Sequence, residues 1–387
     1  MPSRRRLLCA VGGAAAAGLA GCTDDVGSEA SPGTDPDTEW PQPGGTDRFD
    51  CYRKDAAAPR TAPERRWTAE TGEPKARPVV ADGRVLLLTE RGLTAYDLES
   101  GEQRWRTSGG PEFTSWTAPI VVDGTAYLGT TLPDGMVAVD IEDGQRRWAV
   151  ELGARPSTPP VVDVARETLA VGTEAGLVGL TVDGERRWTR ETFSRVSALV
   201  SWRDVLCAGT RGGELLAFFG LLDPRGSWRR DVDGGVTQVA LLDGSSVVIS
   251  TSGGPVSRRN ASRGGAARWK RDVGGDEGFV VGPNTYAVGP GLASVGTRTG
   301  EGHWQVDDAL EAAPAGAGDT IYSGGDGFIA GYGTGGGAGI GGYRFGAERW
   351  RHDVDGSVST GVSVANGAVF GTAYREETGV GTLYALE

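Results

Sequence analysis

The sequence predicts an all-β protein, a closed β-propeller with eight four-stranded blades. Tryptophans recur about every forty residues, which is the length of one propeller blade. Short apolar runs separated by glycine-rich turns fill each interval, as four strands per blade require. The repeated tryptophans are Trp67, Trp105, Trp148, Trp188, Trp228, Trp269, Trp304 and Trp350.

The first two repeats share one spacing of a small residue, a glycine and a tryptophan. These triplets are Ala95, Gly101 and Trp105, then Ala138, Gly144 and Trp148. Upstream of each, residues 78–83 and 119–124 carry an apolar run that ends in Asp-Gly. Asp-Gly favours a tight hairpin turn, so we expect the first two strands of each blade to be joined there.

The two ends of the repeat region predict how the ring closes. Residues 381–387 match the third strand of a repeat, with no glycine and tryptophan after it. Residues 64–67 match the endings of other repeats, so we expect the N-terminal strand to complete the last blade and remove the open edges. Residues 253–255 and 290–291 interrupt strands of the fifth and sixth repeats, which keeps seven blades open as an alternative.

The pattern of a small residue, a glycine and a tryptophan spans eleven residues, as from Ala95 to Trp105. Over residues 64–387 it resembles the tryptophan-docking motif of the quinoprotein, or PQQ-like, β-propeller repeat family. The resemblance implies that each tryptophan packs against a neighbouring blade. Catalytic members bind pyrroloquinoline quinone with calcium over the ring centre, often with a disulfide between adjacent cysteines and an aspartate base. Cys51 and Cys207 are not adjacent, and no acidic or amide residue maps onto those ligands. We therefore expect no catalytic, cofactor-binding or metal site. Even spacing also favours packing over an aromatic ligand cage.

The N-terminal residues predict that the protein is exported from the cytoplasm. Residues 1–21 combine paired arginines with a short apolar stretch, which is typical of a twin-arginine signal peptide. Cys22 ends a lipobox-like sequence, so we expect lipid attachment there and anchoring to the outer face of the cell membrane. A single signal-anchor helix is the alternative. Residues 22–39 predict an acidic disordered tether, and residues 40–63 a leader that packs on the propeller.

The charge of the chain excludes one class of partner. The formal net charge is −12 at pH 7, and the lysines are Lys54, Lys75 and Lys270. Such acidity suits a halophilic archaeon, with an acidic protein of a GC-rich bacterium as the alternative. It does not suit nucleic-acid binding, which requires a basic face.

Three other features have structural interpretations. His303 and His352 flank repeat tryptophans and are expected at the surface or in turns. Asp-Val-Asp-Gly at 231–234 and at 353–356 is expected to be a connecting segment because it recurs at one phase of the repeat. The run Gly331 to Gly342 contains a formal Gly-x-Gly-x-x-Gly and is expected to be a flexible loop.

The sequence raises two possible chemical modifications, glycosylation of Asn260 and a disulfide between Cys51 and Cys207. Asn260 begins a glycosylation sequon on what we expect to be a loop. A disulfide between Cys51 and Cys207 would suit an exported protein. Cys207 lies in a predicted strand, however, where a free cysteine is a small apolar side chain. We expect both thiols to be free.

The sequence leaves three functions open. The preferred one is a monomeric, non-catalytic surface lipoprotein that binds or scaffolds proteins or another extracellular ligand. It would be similar to the lipoprotein propeller subunit of the bacterial outer-membrane β-barrel assembly machine. The alternatives are a quinone- and calcium-dependent alcohol or sugar dehydrogenase and a surface solute-binding or sensor protein with a pocket in the central funnel.

Overall fold

A computed structural model describes residues 30–107, 117–340, 343–345 and 347–387, and this part of the chain is almost entirely β. The predicted all-β class is confirmed. Six four-stranded sheets occur, and in each the strands pair antiparallel with their neighbours along the chain. The signal peptide and Cys22 lie outside the described residues. Among those residues, no helix is long and apolar enough to cross a membrane.

The six sheets are named in chain order. The first contains Val79–Ala81, Arg84–Thr89, Gly92–Asp97 and Gln103–Arg106, and the second Ile120–Val122, Thr125–Thr131, Asp134–Asp140 and Arg146–Glu151. The third contains Val161–Asp163, Thr168–Thr173, Gly176–Thr181 and Arg186–Glu191, and the fourth Val196–Trp202, Val205–Thr210, Glu214–Phe219 and Arg225–Asp231. The fifth contains Val236–Asp243, Ser246–Thr251, Pro255–Asn260 and Ala266–Asp272, and the sixth Gly278–Val281, Thr285–Val288, Gly291–Val295 and Gly302–Asp307.

The remaining strands form an eight-stranded sheet made of two units. The seventh unit contains Ala315–Ala317, Thr320–Gly333 and Glu348–Ser357, and Tyr52–Arg53 pairs parallel with its first strand. The eighth unit contains Ser363–Ala365, Ala368–Arg375, Val380–Leu386 and Arg65–Thr71. A single pair, Ser357 with Tyr374, joins the two units. Ala338–Ile340 and Tyr343–Phe345 make a separate two-stranded sheet, and two 3-10 turns occupy Val164–Arg166 and Ala261–Arg263.

The strands that glycine and proline interrupt in the sequence are nevertheless present. Gly253 and Gly254, both with positive φ, form the turn between the second and third strands of the fifth sheet. Pro290 lies between the corresponding strands of the sixth sheet. The interruptions are therefore turns, and both sheets keep four strands.

The N-terminal strand pairs with the last strand of the chain, as the sequence predicts. Arg65–Thr71 runs antiparallel to Val380–Leu386, with Trp67 opposite Ala385. Backbone hydrogen bonds of 2.8 and 2.9 Å between Glu64 and Glu387 extend the pairing. The first residues after the leader thus share a sheet with the final residues of the repeat region.

The Asp-Gly pairs form the hairpin turns expected of them. Asp82 and Gly83 have φ of 48° and 69°, and Asp123 and Gly124 have φ of 47° and 68°. Two successive positive φ values are the geometry of a type I′ turn, which only residues such as Asp, Asn and Gly adopt readily. This turn fixes the register of the first two strands in each of these sheets.

The core consists of apolar side chains between consecutive sheets. Leu88 and Leu93 of the first sheet pack with Val121 and Leu128 of the second, and similar clusters join the second to third, third to fourth, fourth to fifth and fifth to sixth. The largest cluster joins the sixth sheet, both units of the eight-stranded sheet and Val85 of the first sheet. Face-to-face packing of this kind buries both faces of each sheet.

Each repeat tryptophan lies in the last strand of its sheet, and seven donate an indole hydrogen bond to the following unit. The acceptors are backbone carbonyl oxygens at 2.8–3.2 Å: Leu98 for Trp67, Ile141 for Trp105, Val182 for Trp148, Leu221 for Trp188, Thr297 for Trp269, Thr334 for Trp304 and Pro59 for Trp350. Pro59 precedes the N-terminal strand of the eighth unit. One contact therefore recurs from unit to unit.

The motif glycines provide space for these indoles. A Cβ at Gly101 would lie 2.5 Å from the ring of Trp67, and one at Gly144 would lie 2.6 Å from the ring of Trp105. Both glycines also have positive φ, 70° and 75°. A side chain at either position would push the indole away and strain the turn, which explains the glycine of the motif.

A buried ion network ties the leader to the seventh unit. The Asp319 carboxylate, whose side chain is 4% exposed, accepts hydrogen bonds from Arg60 of the leader and from Arg349. Burial alone would raise the pKa of Asp319, but the hydrogen bonds from Arg349 and Arg60 outweigh it and lower that pKa to about 2. Asp319 is therefore ionised throughout the neutral range.

Removing the indole N–H of Trp188 should destabilise the fold. We expect Trp188→Phe to lower the free energy of unfolding by about 1–2 kcal/mol, because the Leu221 carbonyl loses its donor. Trp188→Ala should cost about 3–5 kcal/mol. Urea denaturation measures both. Trp202→Phe is the control, since the structure gives its indole N–H no backbone acceptor within the described residues. Equal effects of the two Phe variants would contradict the role of the bond.

Asp319→Asn should destabilise the protein in a pH-dependent manner. Near neutral pH we expect a loss of about 2–3 kcal/mol, because Arg349 is left partly buried without its carboxylate. A carboxyl group whose pKa is lowered by folding stabilises the folded state at pH values above its unfolded pKa, which is 3.8. The difference in stability between wild type and Asp319→Asn should therefore shrink as the pH falls from 3.8 towards 2. Denaturation at several pH values tests this. Asp233→Asn, which affects the exposed pair with Lys270, should leave the denaturation midpoint nearly unchanged at every pH.

Candidate functional site

The leader crosses the place where the first strands of different units converge. Its backbone hydrogen-bonds to five units in turn: Trp40 with Val80, Pro41 O with Val121 N, Arg48 O with Leu241 N, Asp50 O with Val281 N and Cys51 O with Gly316 N, each at 2.8–2.9 Å. These acceptors and donors belong to the first, second, fifth and sixth sheets and to the seventh unit. A single segment reaches all of them only from the centre of the assembly.

The leader holds this path through compact local packing. Trp40 is fully buried in the largest core cluster, and its ring lies against Gly45, where a Cβ would approach to 2.9 Å. Phe49 and Cys51 both have positive φ, 58° and 55°. Such conformations are unfavourable for residues with a side chain and persist only where surrounding contacts enforce them. The leader is thus an ordered part of the core.

A cavity of about 200 Å³ lies above the leader at the end from which the first strands begin. Pro43, Phe49 and Cys51 of the leader form its floor. Its wall contains residues at or just before the start of the first strands: Arg77, Thr237, Gln238, Asp276, Glu277, Gly278 and Ala313. We refer to this cavity as the funnel, because the solute-binding alternative would require a pocket at the centre of the ring.

The Cys51 thiol at the floor is not poised for reaction. Burial raises its pKa to about 11, although the neighbouring Arg77 guanidinium opposes this effect. The nucleophilic form of cysteine is the thiolate, so at neutral pH Cys51 is an inert thiol. Cys207, buried in the fourth sheet, has its pKa raised to about 12 by burial. Both cysteines are free, as the sequence predicts.

Two polar side chains of the wall, Arg77 and Gln238, are hydrogen-bonded within the protein. Arg77 is buried and donates from Nη1 to the carbonyl oxygen of Pro314 at 3.2 Å. Gln238 donates to the carbonyl of Phe279 and accepts from the amide of the same residue, at 3.0 and 2.9 Å. The side-chain amide of Gln238 therefore links the fifth sheet to the sixth in the way that backbone hydrogen bonds link two paired strands. Neither group is left free to orient a substrate.

Acidic residues stand together at one side of the funnel. Burial raises the pKa of Glu277, and the nearby carboxylates of Asp276 and Glu311 raise it further. Asp276 accepts a hydrogen bond from the Gly253 amide. Among the residues that the structure describes, no group of three or more His, Cys, Asp and Glu side chains is arranged to hold a metal ion.

These residues do not fit a quinone with its calcium ion. Calcium takes six to eight oxygen ligands, and the described residues around the funnel offer no such set. Ligand pockets generally enclose about 300–1,000 Å³, which exceeds the funnel above the leader. The floor residues belong to the chain itself and occupy the centre over which a planar cofactor would lie.

The structure brings none of the sequence-predicted site residues together. Each repeat tryptophan lies in a different unit, so within the described residues the indoles form no cage. The expected loop position of Asn260 is wrong. Asn260 is the last residue of a strand in the fifth sheet and is 8% exposed, which hides the amide that glycosylation requires.

The glycine-rich run also differs from its expectation. Gly331 and Gly333 are strand residues, and a Cβ at Gly331 would lie 2.6 Å from the indole of Trp350. The expected flexible loop is therefore wrong for this part of the run; Gly341 and Gly342 lie outside the described residues. Gly331 is required by the packing of Trp350, whereas a Cβ at Gly333 would lie 3.1 Å from the guanidinium of Arg349. In the part of the chain that the structure describes, no helix follows them that would suit a dinucleotide.

The remaining candidates belong to the strands that carry the repeat tryptophans. Asp231 ends the last strand of the fourth sheet, and Asp353 and Asp355 lie in Glu348–Ser357. His303 and His352 flank Trp304 and Trp350 in the same kind of strand. The path of the leader was the feature that the sequence did not predict, since no repeat pattern extends into residues 40–53.

Comparisons with known proteins bear on the fold and the family. BamB from Moraxella catarrhalis superposes with a TM-score of 0.65 at 16% identity, covering 84% of this chain and 99% of that one. Quinohemoprotein alcohol dehydrogenase ADHIIG from Pseudomonas putida HK5 gives 0.72 at 11% identity, covering 93% and 83%. A europium-containing methanol dehydrogenase gives 0.69 at 10% identity, covering 91% and 98%. At these identities the likeness shows a shared fold alone.

The sequence comparisons are more selective than the structural ones. No curated protein matches the chain. The family described as outer membrane protein assembly factor BamB matches residues 58–274, which is more than half of the 387 residues. That range runs from the N-terminal strand through the fifth sheet and contains the best-formed repeats. The chain therefore belongs to this family of β-propeller proteins.

Proposed function

We propose that this protein is a non-catalytic scaffold that binds protein partners through one face of a closed, eight-bladed propeller. The observation that carries the proposal is the leader at the centre of the assembly. Because the chain itself fills the centre and Arg77 and Gln238 are hydrogen-bonded internally, we assign recognition to the turns between strands. The family name, which describes an assembly factor, is consistent with function through protein contacts.

The recurring tryptophan contact supports closure of the ring. Trp350 of the seventh unit donates to Pro59 at the edge of the eighth unit, and Trp67 of the eighth unit donates to Leu98 of the first sheet. The same core cluster contains Phe370 and Val85, from the eighth unit and the first sheet. Eight units, seven of which make this contact with the next, suit eight blades without an open edge.

One face of this ring offers an anchor for a partner. Strands of a meander alternate in direction, so the turn between second and third strands and the connection between sheets lie on the same face. Phe193, in the connection between the third and fourth sheets, is 85% exposed, and Leu132, in such a turn of the second sheet, is 57% exposed. The guanidinium of Arg229 lies 4.5 Å from the Phe193 ring centroid. Aromatic and arginine side chains dominate the energetic centres of protein interfaces.

The proposed location rests on the sequence. The paired arginines of residues 1–21 favour export by the twin-arginine route, and Cys22 is the proposed site of lipid attachment. The first part of the expected tether would hold the propeller away from the outer face of the membrane. Its end is not disordered as expected, because the Asp35 amide hydrogen-bonds to the Asp55 carbonyl and the Thr38 carbonyl accepts from the Asn366 amide, both at 2.8 Å. The acidic composition supports a monomer in a salty medium, from a halophilic archaeon.

Site-specific photocrosslinking tests the face. The full-length chain carrying a benzoylphenylalanine at position 193 should give one discrete protein adduct in native membranes. Excess unmodified protein should suppress the adduct, whereas excess Phe193→Ser protein should do so at least roughly tenfold less well, because the anchor is lost. The matched control places the same probe at Leu222, which is 47% exposed in the turn of the fourth sheet on the opposite face.

Two outcomes would contradict the proposal. The first is the same adduct pattern from positions 193 and 222, or an adduct that both competitors suppress equally. The second is dye reduction with an alcohol or sugar by the purified protein after addition of pyrroloquinoline quinone and calcium, which would establish catalysis.

A further inference from the structure

Arg258 breaks a rule that the other repeats obey. The residue paired across the sheet from the repeat tryptophan is small in seven of the eight units: Ala95, Ala138, Gly179, Ala217, Ser294, Gly331 and Ala385. In the fifth sheet the partner of Trp269 is Arg258. Directly opposed residues share a face of the sheet, so Arg258 occupies the place that tryptophan packing elsewhere reserves for a small side chain.

The guanidinium of Arg258 is buried without full compensation. Arg258 is 8% exposed, and it donates to the Thr297 carbonyl at 3.3 Å and to the Ser246 hydroxyl at 3.1 Å. Its Nε is buried with no hydrogen-bond partner. Burial lowers the pKa of Arg258, as do the nearby charges of Arg268 and Arg298, while Asp243 opposes them. A cation in this position is expected to be unfavourable unless an anion joins it.

Arg258 lines a cavity of about 600 Å³ between the fifth sheet, the sixth sheet and the leader. This volume lies within the range of about 300–1,000 Å³ that small-molecule sites occupy. Three further basic side chains line the cavity: Arg48, Lys54 and Arg298. Within the described part of the chain, neither Lys54 nor Arg298 makes an ion pair. Lys54 is one of the three lysines in this acidic protein.

One carboxyl group shares the cavity and does not neutralise it. Asp50 accepts a hydrogen bond from Thr46 at 2.6 Å and lies 3.6 Å from Arg48. Burial raises the pKa of Asp50, although Thr46 and Arg48 oppose the shift. Lys54, Arg258 and Arg298 remain as cations beyond this pair. The cavity is a positive site on a chain whose formal net charge is −12.

Apolar groups provide the rest of the lining. Leu241 and Val281 come from the first strands of the two sheets, and the ring of Tyr52 comes from the leader. The Tyr52 hydroxyl donates to the Gly318 carbonyl at 2.6 Å, which fixes the ring. A mostly apolar surface with a few charged groups at one side is typical of a site for a small amphipathic molecule.

We propose that this cavity binds a small organic anion, with a carboxylate or phosphate group at Arg258 and an apolar body against Leu241, Val281 and Tyr52. Arginine is suited to such groups because its planar guanidinium donates hydrogen bonds in pairs. Lys54 and Arg298 add positive potential at the mouth. The site is independent of the partner-binding face proposed above, which lies at the opposite ends of the first strands.

Calorimetric titration of the full chain with 1-naphthyl phosphate and with 1-naphthoate tests the site and distinguishes the two anionic groups. At least one of these probes should bind, more weakly as potassium chloride is raised. Neutral 1-naphthol should bind at least roughly tenfold more weakly than that probe, because it cannot use a charge-assisted hydrogen bond. Failure of both anions to bind at about 1 mM, or equal affinity for 1-naphthol, would overturn the proposal.

Arg258→Ala separates a binding role from a structural one, because alanine is the residue that the repeat prefers. We expect this variant to lose at least roughly tenfold in affinity for the anion and to keep or raise its urea midpoint. Arg258→Lys should recover part of the affinity. Arg259→Ala is the matched control, since adjacent strand residues face opposite sides of the sheet and Arg259 donates to the Gly265 carbonyl.

The variants also give results that would overturn the proposal. Unchanged affinity in Arg258→Ala, or the same loss in Arg259→Ala, would show that Arg258 does not hold the anion. If Arg258→Ala fails to fold, the exposed pair Lys54→Glu and Arg298→Glu tests the same site. Binding that survives this double charge reversal contradicts the proposal.

Discussion

An indole hydrogen bond joins seven of the eight units to the next unit along the chain. Each donor is a tryptophan in the last strand of one unit, and each acceptor is a backbone carbonyl at the edge of the next. The bond fixes the orientation of neighbouring sheets, while the apolar clusters between sheets contribute most of the burial. Because the acceptor is backbone, the surrounding turn can vary in sequence, provided that a residue such as Gly101 makes room for the ring.

The leader gives this arrangement its functional character. It bonds to the first strands of five units, and its Trp40 is part of the core, so the centre of the proposed ring is filled by the chain itself. A propeller with an open centre can place a cofactor there, whereas one filled by its own leader must recognise partners elsewhere. The chain thus shares a fold with a dehydrogenase and with BamB, and the filled centre is the reason for our proposal of a scaffold.

Repetition explains which features were predictable from the sequence. The tryptophans, the Asp-Gly hairpins and the pairing of Arg65–Thr71 with the last strand all follow from patterns that recur. Asn260 was misplaced because a sequon carries no information about burial, and the glycine-rich run because a strand that packs on an indole can resemble a loop. The leader path was not predictable, since it has no counterpart in any repeat. The exception at Arg258 could have been recognised in the sequence, because Arg258 precedes Trp269 at the position where Ala217 precedes Trp228.

A cysteine crosslink between the two terminal strands tests whether the N-terminal strand closes the ring. Glu70 and Thr382 are paired across the two terminal strands. Opposed strand residues have Cβ atoms close enough for a disulfide, and the buried thiols of Cys51 and Cys207 do not compete. Oxidation of Glu70→Cys/Thr382→Cys protein under native conditions should link these two positions within one chain, as peptide mapping would show. Absence of that link, or a link found only between chains, would contradict a closed monomeric ring.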